Sequence, residues 1–432
     1  MPTKTLYTRP APSNPCVIAQ RKKVEAMARI VMKFGGTSVA DVAKIQNVAA
    51  RVAAEHEAGH EVAVVVSAMA GTTNQLIEWT RKAATLHDAR EYDTVVSAGE
   101  QITIGLLAMA LQARGISARS WLGWQIPIET SDVHGSARIE GIGADEITRR
   151  MAEGEVAVVA GFQGISGRNR ITTLGRGGSD TSAVAIAAAV EAERCDIYTD
   201  VEGVFTADPR IVEAAHKLDR ITYEEMLELA SQGAKVLQTR SVELAMNHRV
   251  RVQVRSTFSD APGTLVVDEE EIVEQAVVSG VTYSRDEAKI TLQGVADRPG
   301  IAASIFGPLA DAAVNVDMIV QSASSDGTRT DMTFTVGRAD LPRARAVLEG
   351  LRGEIGDAEI IAADDVVKVS VIGVGMRSHA GVAKAMFAAL AEKGINIQAI
   401  STSEIKISVL ISADFTELAV RTLHSAYGLD VA

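Results

Sequence analysis

The sequence predicts an α/β protein: a mostly parallel sheet covered by helices on both faces, followed by two smaller α+β units. Three observations carry this. Short apolar runs alternate with helical patterns across residues 30–256, the order expected of a parallel sheet built from crossover units. Residues 61–68 are almost entirely Val and Ala, apolar at successive positions, as a strand buried on both faces requires. The last third of the chain repeats itself.

Residues 1–28 read as a disordered extension, interrupted by Pro2, Pro10, Pro12 and Pro15 and carrying Arg21, Lys22 and Lys23. They lack the Ser-rich amphipathic pattern of a transit peptide, and Met27 suits the start of the folded part. A first domain follows over 29–262, with strands at 30–34, 61–68, 156–161, 196–200 and 250–256. Helices are expected at 39–57, 100–114 and 181–192, the last so Ala-rich that it must pack closely. A linker over 263–276 contains the acidic run 268–271.

Beyond it, Pro299-Gly300-Ile301 aligns without gaps on Ala380-Gly381-Val382, and Val314-Asn315-Val316 on Ile395-Asn396-Ile397. Each copy reads strand, loop, helix, strand and hairpin strand, which places one unit at 277–356 and another at 357–432.

Composition narrows the function. With 47% hydrophobic but only 4% aromatic residues, Ala, Val, Ile and Leu must fill the cores. A net charge of −12 argues against nucleic-acid partners, since no cationic footprint exists to displace counterions. No apolar run approaches the roughly 18 residues needed to span a bilayer. Cys16 and Cys195 alone make neither a disulfide framework nor a zinc spacing, which fits a reducing, cytoplasmic compartment.

Two stretches carry the chemistry. Lys33 precedes Gly35-Gly36-Thr37-Ser38, and Thr173-Leu174-Gly175 leads into Arg176-Gly177-Gly178-Ser179-Asp180. Cations beside open backbone amides at a helix start make an anion site, although neither stretch fits the P-loop spacing. Arg176 can grip a carboxylate through two parallel bonds, or be a surface Arg in a glycine loop. Ser179 and Asp180 make a good N-cap for the following helix. Glu100 can complement a helix dipole, while Ser67 and Thr73 lie where turn residues are common. Thr199 and Asp200 end a strand where an open parallel sheet presents its crevice, and Phe205, Asp208 and Arg210 follow.

Together with Gly233-Ala234-Lys235-Val236-Leu237, these motifs occur in the order and spacing of the aspartokinases, which the chain resembles from Met27 onward. The resemblance implies a three-layer amino acid kinase domain followed by two ferredoxin-like ACT domains. It implies that Mg-ATP phosphorylates the β-carboxylate of L-aspartate, at the entry to lysine, threonine, methionine and diaminopimelate synthesis. Lys33 is then the cation on the γ-phosphate and Asp180 its organiser. Glu100 takes the α-ammonium, Arg176 holds the substrate's carboxylate with Ser179 beside it, and Ser67 and Thr73 donate to the carboxylate under attack.

ATP is held by Lys33, Gly35, Gly36, Thr199, Asp200, Phe205, Arg210 and Lys235. Phe205 stands where the family usually has Tyr, and Gln238-Thr239 where it commonly has His-Pro. No metal is expected to have a dedicated protein ligand set, Mg²⁺ arriving with ATP. Asp297, Ala302, Gln321, Asn396, Ile397 and Ser403 match positions contacting an inhibitory amino acid, lysine and/or threonine, at the ACT interface. Asn315 and Asn396 also suit plain helix stops. Homo- or hetero-oligomers through the ACT units are implied as well. Relatives acting on glutamate, acetylglutamate or UMP are distinguished by lacking the ACT pair together with the Arg176 and Glu100 combination.

Overall fold

The computed structural model describes residues 27–234, 236–272, 277–323, 327–379 and 381–431. The expected N-terminal extension up to residue 26, Lys235, and part of the expected linker lie outside the described residues.

The first domain opens with β1 (Arg29–Phe34), α1 (Val42–Glu57), β2 (Glu61–Val66), α2 (Thr72–Ala83), α3 (Ala89–Val96) and α4 (Ala98–Gln112). It continues through β3 (Ala118–Trp121), β4 (Ile128–Thr130), β5 (Ile139–Ile142), α5 (Asp145–Ala152), β6 (Val156–Ala160), β7 (Gln163–Ser166) and β8 (Ile171–Thr173). It closes with α6 (Gly178–Ala189), β9 (Arg194–Thr199), β10 (Arg220–Thr222), α7 (Tyr223–Ser231), α8 (Thr239–His248), β11 (Val252–Ser256) and β12 (Thr264–Val267). Eight strands form one sheet in the order β10-β12-β11-β9-β1-β2-β6-β3, parallel except where β11 meets β12. A small side sheet runs β5-β4-β7-β8.

Period-two geometry turns the Val-rich strands into a divider between two cores. Val31, Ala63 and Val65 face α5, α6, α7 and α8 with Ile147, Ile186, Met226 and Val242. Their neighbours Met32, Val62 and Val64 face α1 and α4, where Val48, Val52 and Leu107 pack. The result is the expected three-layer α/β/α arrangement. Helix α6 is buried along most of its length, as an element apolar all round must be, and its Ala residues let α8 approach.

The segment Ala89–Gln112 is long and apolar enough to cross a membrane by length and composition, contrary to the expectation that no run approaches that length. It breaks at Ser97 into α3 and α4 and buries Asp93, Glu100 and Thr103 inside the domain. A core pair of helices passes the same test.

The remainder contains β13 (Gly280–Ser284), β14 (Ala288–Ala296), α9 (Ile301–Asp311), β15 (Val316–Ala323), β16 (Arg329–Val336), α10 (Leu341–Gly350), α11 (Arg352–Ile355) and β17 (Glu359–Ala363). Then come β18 (Val366–Ile372), α12 (Val382–Glu392), β19 (Ala399–Thr402), β20 (Lys406–Ser412) and α13 (Thr416–Ala426). Two four-stranded sheets result, β15-β16-β14-β17 and β13-β18-β20-β19. The repeated glycines Gly300 and Gly381 precede α9 and α12 in the left-handed region, at φ 89° and 109°, which explains the shared motif.

Strand pairing moves three expected boundaries. β12 belongs to the eight-stranded sheet, so residue 262 does not end the first domain. β13 pairs with β18 and therefore completes the second small sheet, although it precedes the first unit in the chain. β17 pairs with β14 and closes the first sheet, although it falls after residue 356. The acidic run forms a 3-10 turn at Glu269–Glu271, with Glu269 paired to Arg377 and Glu271 to Arg251.

Candidate active site

Parallel pairing aligns Phe34 with Val66 on one side and Tyr198 on the other. The loops after β1, β2, β6 and β9 therefore open at one edge of the sheet, beside the central strand where connections diverge in opposite directions. Three glycines let these loops touch. A Cβ at Gly36 would stand 3.0 Å from the Ala68 carbonyl, one at Gly99 2.6 Å from the Ala68 Cβ, and one at Gly161 2.9 Å from the Ser179 Oγ. The loop after β1, the loop after β2, and the first turns of α4 and α6 thus form one cluster.

Inside it, Lys33 Nζ lies 2.5 Å from Asp180 Oδ1, with the residues only 9% and 8% exposed. A Cβ at Gly35 would sit 3.5 Å from that ammonium, so the open amides of the loop and the cation share one small space. Asp180 does not cap its helix as the sequence suggests. Helix α6 starts at Gly178, with Gly177 in the left-handed region at the cap (φ 72°) and no side-chain cap bond. Ser179 and Asp180 are consequently in the first turn, where a carboxylate still complements the dipole and Asp180 is free to engage Lys33.

Glu100 is 3% exposed in the first turn of α4. Its Oε1 accepts from the Ala68 amide at 2.9 Å, while Oε2 is buried with no hydrogen-bond partner among the described residues. Burial lifts its carboxyl to about 7 against the pull of the Ala68 amide. A buried carboxylate oxygen left unpaired is costly, and an incoming cation would relieve it. Ser67, whose amide donates to the Phe34 carbonyl at 3.1 Å, begins the same loop, and Thr73 stands in the first turn of α2. Arg176 is exposed on the turn before α6. Asp180 follows four positions later, which keeps the two Cα atoms within about 15 Å.

On the opposite side of β1, Thr199 ends β9 and donates to Asp200 Oδ1 at 3.1 Å. Phe205 is half-buried and bridges to Lys217. Arg210 is exposed and folded back on Asp208, which accepts from its Nε at 3.0 Å and its Nη2 at 2.8 Å. Gln238 is the extended cap of α8 and fits so tightly against Gly177 that a Cβ there would overlap it. The Gln238-Thr239 departure therefore places a side chain directly behind the Arg176 turn.

Residues not singled out from the sequence brace this turn. Asp93, fully buried on α3, accepts from the Thr173 amide at 3.1 Å and hydroxyl at 2.6 Å, from the Gly135 amide at 3.1 Å and from His134 Nδ1 at 2.7 Å. Arg240 donates to the carbonyls of Leu174 at 2.8 Å and Ala137 at 2.7 Å. Nothing local marks either residue: Asp93 lies on a helix that also carries Arg90, Glu91 and Thr94, and the carbonyls that Arg240 reaches lie far back in the chain.

The expected effector residues fall on both small units. Asp297, Ala302 and Gln321 are exposed on the first, and Asn396 and Ser403 on the second, with Ile397 half-buried. The units abut along β15 and β19. Met318 packs with Val366, Leu410 and Ala399, Lys289 donates to Gln398 at 2.6 Å, and Lys368 reaches Asp317 at 2.7 Å. Gln321 on β15 and Ser403 just past β19 therefore belong to the two facing edges.

A desolvated lysine held by an aspartate among glycine amides, at the crevice of a three-layer α/β/α domain, is an arrangement that suits phosphoryl transfer. The model of the amino acid kinase family matches residues 28–256, and ACT domain models match 290–353 and 369–427. The chain is 54% identical over 405 residues to the aspartate kinase Ask_LysC of Stutzerimonas stutzeri, covering 94% of this chain and 98% of that one. Among solved structures it is similar to E. coli aspartokinase III in complex with aspartate and ADP, with a TM-score of 0.78 at 28% identity, over 92% of this chain and 99% of that one. The same enzyme in complex with lysine and aspartate gives a TM-score of 0.74 at 28% identity, over 92% and 98%.

The chain belongs to the amino acid kinase family, among its aspartokinases with paired ACT domains. Its reaction is the ATP-dependent phosphorylation of the β-carboxylate of L-aspartate to 4-phospho-L-aspartate. This is the first step toward lysine, threonine, methionine and diaminopimelate, with feedback through the ACT units.

Proposed function

We propose that the cluster around Lys33 performs this transfer as follows. Aspartate lies between Glu100 and Arg176, its α-ammonium on the unpaired Oε2 of Glu100 and its α-carboxylate on the Arg176 guanidinium, with Ser179 alongside. Ser67 and Thr73 donate hydroxyls to the β-carboxylate. One β-carboxylate oxygen attacks the γ-phosphorus in line, the bond to the β-phosphate oxygen breaks and ADP leaves. Lys33 and the amides of Gly35 and Gly36 stabilise the charge on the moving group, which is the main requirement of phosphoryl transfer. Asp180 fixes the Lys33 ammonium in place beforehand. Thr199, Asp200, Phe205, Arg210 and Lys235 hold the rest of the nucleotide. The observation that carries this reading is the Lys33–Asp180 pair, built into the same loop cluster as a buried carboxylate oxygen without a partner.

Among the described residues no three His, Cys, Asp or Glu converge as a metal site. Mg²⁺ dehydrates reluctantly and binds through phosphates with one or two carboxylates, and Asp180 and Asp200, at this edge of the sheet, would be the ones to hold it. The ion would neutralise charge across the β- and γ-phosphates.

Lysine and/or threonine would bind where the ACT units abut, contacting Asp297, Ala302, Gln321, Asn396, Ile397 and Ser403. Binding there shifts activity by favouring one arrangement of the domains. The enzyme would work in the cytoplasm as a homo- or hetero-oligomer joined through its ACT units. Hydroxylamine trapping of the acyl phosphate tests the reading. Hydroxamate is expected with aspartate, little with glutamate, and less when lysine and threonine are added. Equal yields from both acids would contradict the assigned pocket.

A further inference from the structure

The loop that follows β9 is built into the second ACT unit rather than resting on it. Ala207 and Val212 are buried in that unit's core beside Val278, Val281 and Val367. The Val281 amide donates to the Thr206 carbonyl at 2.8 Å, and the Thr206 hydroxyl meets His424 Nε2 of α13 at 2.9 Å. Between these anchors the loop presents Asp208 and Arg210. Asp208 Oδ1 accepts from the Arg210 amide and Nε, both at 3.0 Å, and Oδ2 from Nη2 at 2.8 Å. Among the described residues one further donor reaches this carboxylate: the hydroxyl of Tyr283, on β13, at 3.2 Å to Oδ2.

We infer that Tyr283 is a positioning residue for the nucleotide: it fixes the Asp208 carboxylate, which aims the Arg210 guanidinium. Three hydrogen bonds from one Arg, all within a single turn, tie the two residues only to each other. A fourth bond, from a strand of a different unit, holds the carboxylate to the second ACT unit. Tyr283 is suited to the task because its ring is half-buried and its backbone is tied into the sheet opposite Val369. A strand shift within the second ACT unit would therefore reach Arg210 through the Tyr283 side chain as well as through the anchored loop. The inference rests on Arg210 as a nucleotide contact.

The test compares Tyr283→Phe with Arg210→Ala in the full-length enzyme, by steady-state kinetics in ATP and in aspartate, with melting temperatures measured alongside. Losing one hydrogen bond of ordinary net strength corresponds to roughly a two- to tenfold effect. Tyr283→Phe is expected to raise the ATP KM by about that factor, leaving kcat, the aspartate KM and the melting temperature near wild type. Arg210→Ala should raise the ATP KM at least as much. If Arg210→Ala raises it and Tyr283→Phe does not, the positioning role is wrong while the nucleotide assignment stands. If Arg210→Ala itself changes nothing, the nucleotide assignment fails and the inference with it. A Tyr283→Phe enzyme that loses kcat and both KM values together with its melting temperature would show a merely structural residue, which also overturns the inference.

Discussion

Lys33 and Asp180 meet at 2.5 Å and join the end of β1 to the first turn of α6. Removing an ion pair from water carries a desolvation cost that good geometry only partly offsets, so the pair's value is best sought in the reaction. A cation already fixed and dry needs no reorganisation when negative charge develops. Lys33→Ala is expected to lower kcat about 10²- to 10³-fold with the circular dichroism spectrum unchanged. Turnover close to wild type would remove Lys33 from the chemistry.

Glu100 links pH to substrate binding. Its carboxyl is lifted by burial to about 7, and only the ionised form can receive an ammonium. kcat/KM for aspartate should fall about tenfold per unit of pH below that value and level off above it. Glu100→Gln should flatten this acid limb and raise the aspartate KM. A limb that survives the substitution would belong to another group.

Stability should run the other way. The folded-state value lies above the ordinary glutamate value of 4.5, so folding favours the neutral acid. That contribution is complete below about pH 4.5 and is lost as pH rises through about 7, reaching on the order of 3 kcal/mol. Without ligand, Glu100→Gln should therefore melt above wild type at pH 8, and the gap should shrink toward pH 5. Equal melting temperatures at pH 8 would mean that Glu100 is better solvated than its burial implies.

Arg176 is assigned to the substrate's α-carboxylate because it sits on the turn that leads into α6. Bidentate charge-assisted bonds are worth enough for Arg176→Ala to raise the aspartate KM about 10- to 100-fold. The ATP KM should change little. Comparable increases for both substrates would place the guanidinium on phosphate instead.

Asp93 supports the same turn from behind. Removing its carboxylate leaves the Thr173 and Gly135 amides and the Thr173 hydroxyl without an acceptor in a fully buried spot. Asp93→Ala should cost about 3–5 kcal/mol, read as a lowered melting temperature by calorimetry, and weaken aspartate binding by loosening residues 173–176. An unchanged melting temperature would refute the brace.

The parts of this site that the sequence discloses are those whose chemistry is local. Lys33 announces itself because two glycines follow within three positions, and Arg176 because glycines flank it. From its neighbours alone Asp180 reads as a cap, and only the resemblance makes it the organiser of Lys33: Gly177, in a conformation that glycine adopts without cost, starts the helix earlier, and a lysine from β1 claims the carboxylate. Asp93 and Arg240 were not legible, since their partners Thr173 and Leu174 lie far along the chain. The same reason explains the shifted boundaries. Gly300 and Gly381 mark the repeat within each unit, but whether β13 or β17 joins one sheet or the other depends on pairing with distant strands, β18 and β14, and no neighbouring residue records that.

The most direct measurement is a crystal structure of the enzyme with aspartate and a non-hydrolysable ATP analogue. The expected result has the Lys33 ammonium on the γ-phosphate, Glu100 Oε2 on the α-ammonium and Arg176 on the α-carboxylate, within one cleft at the ends of β1, β2 and β9. Aspartate bound away from Glu100, or a γ-phosphate out of reach of Lys33, would contradict it.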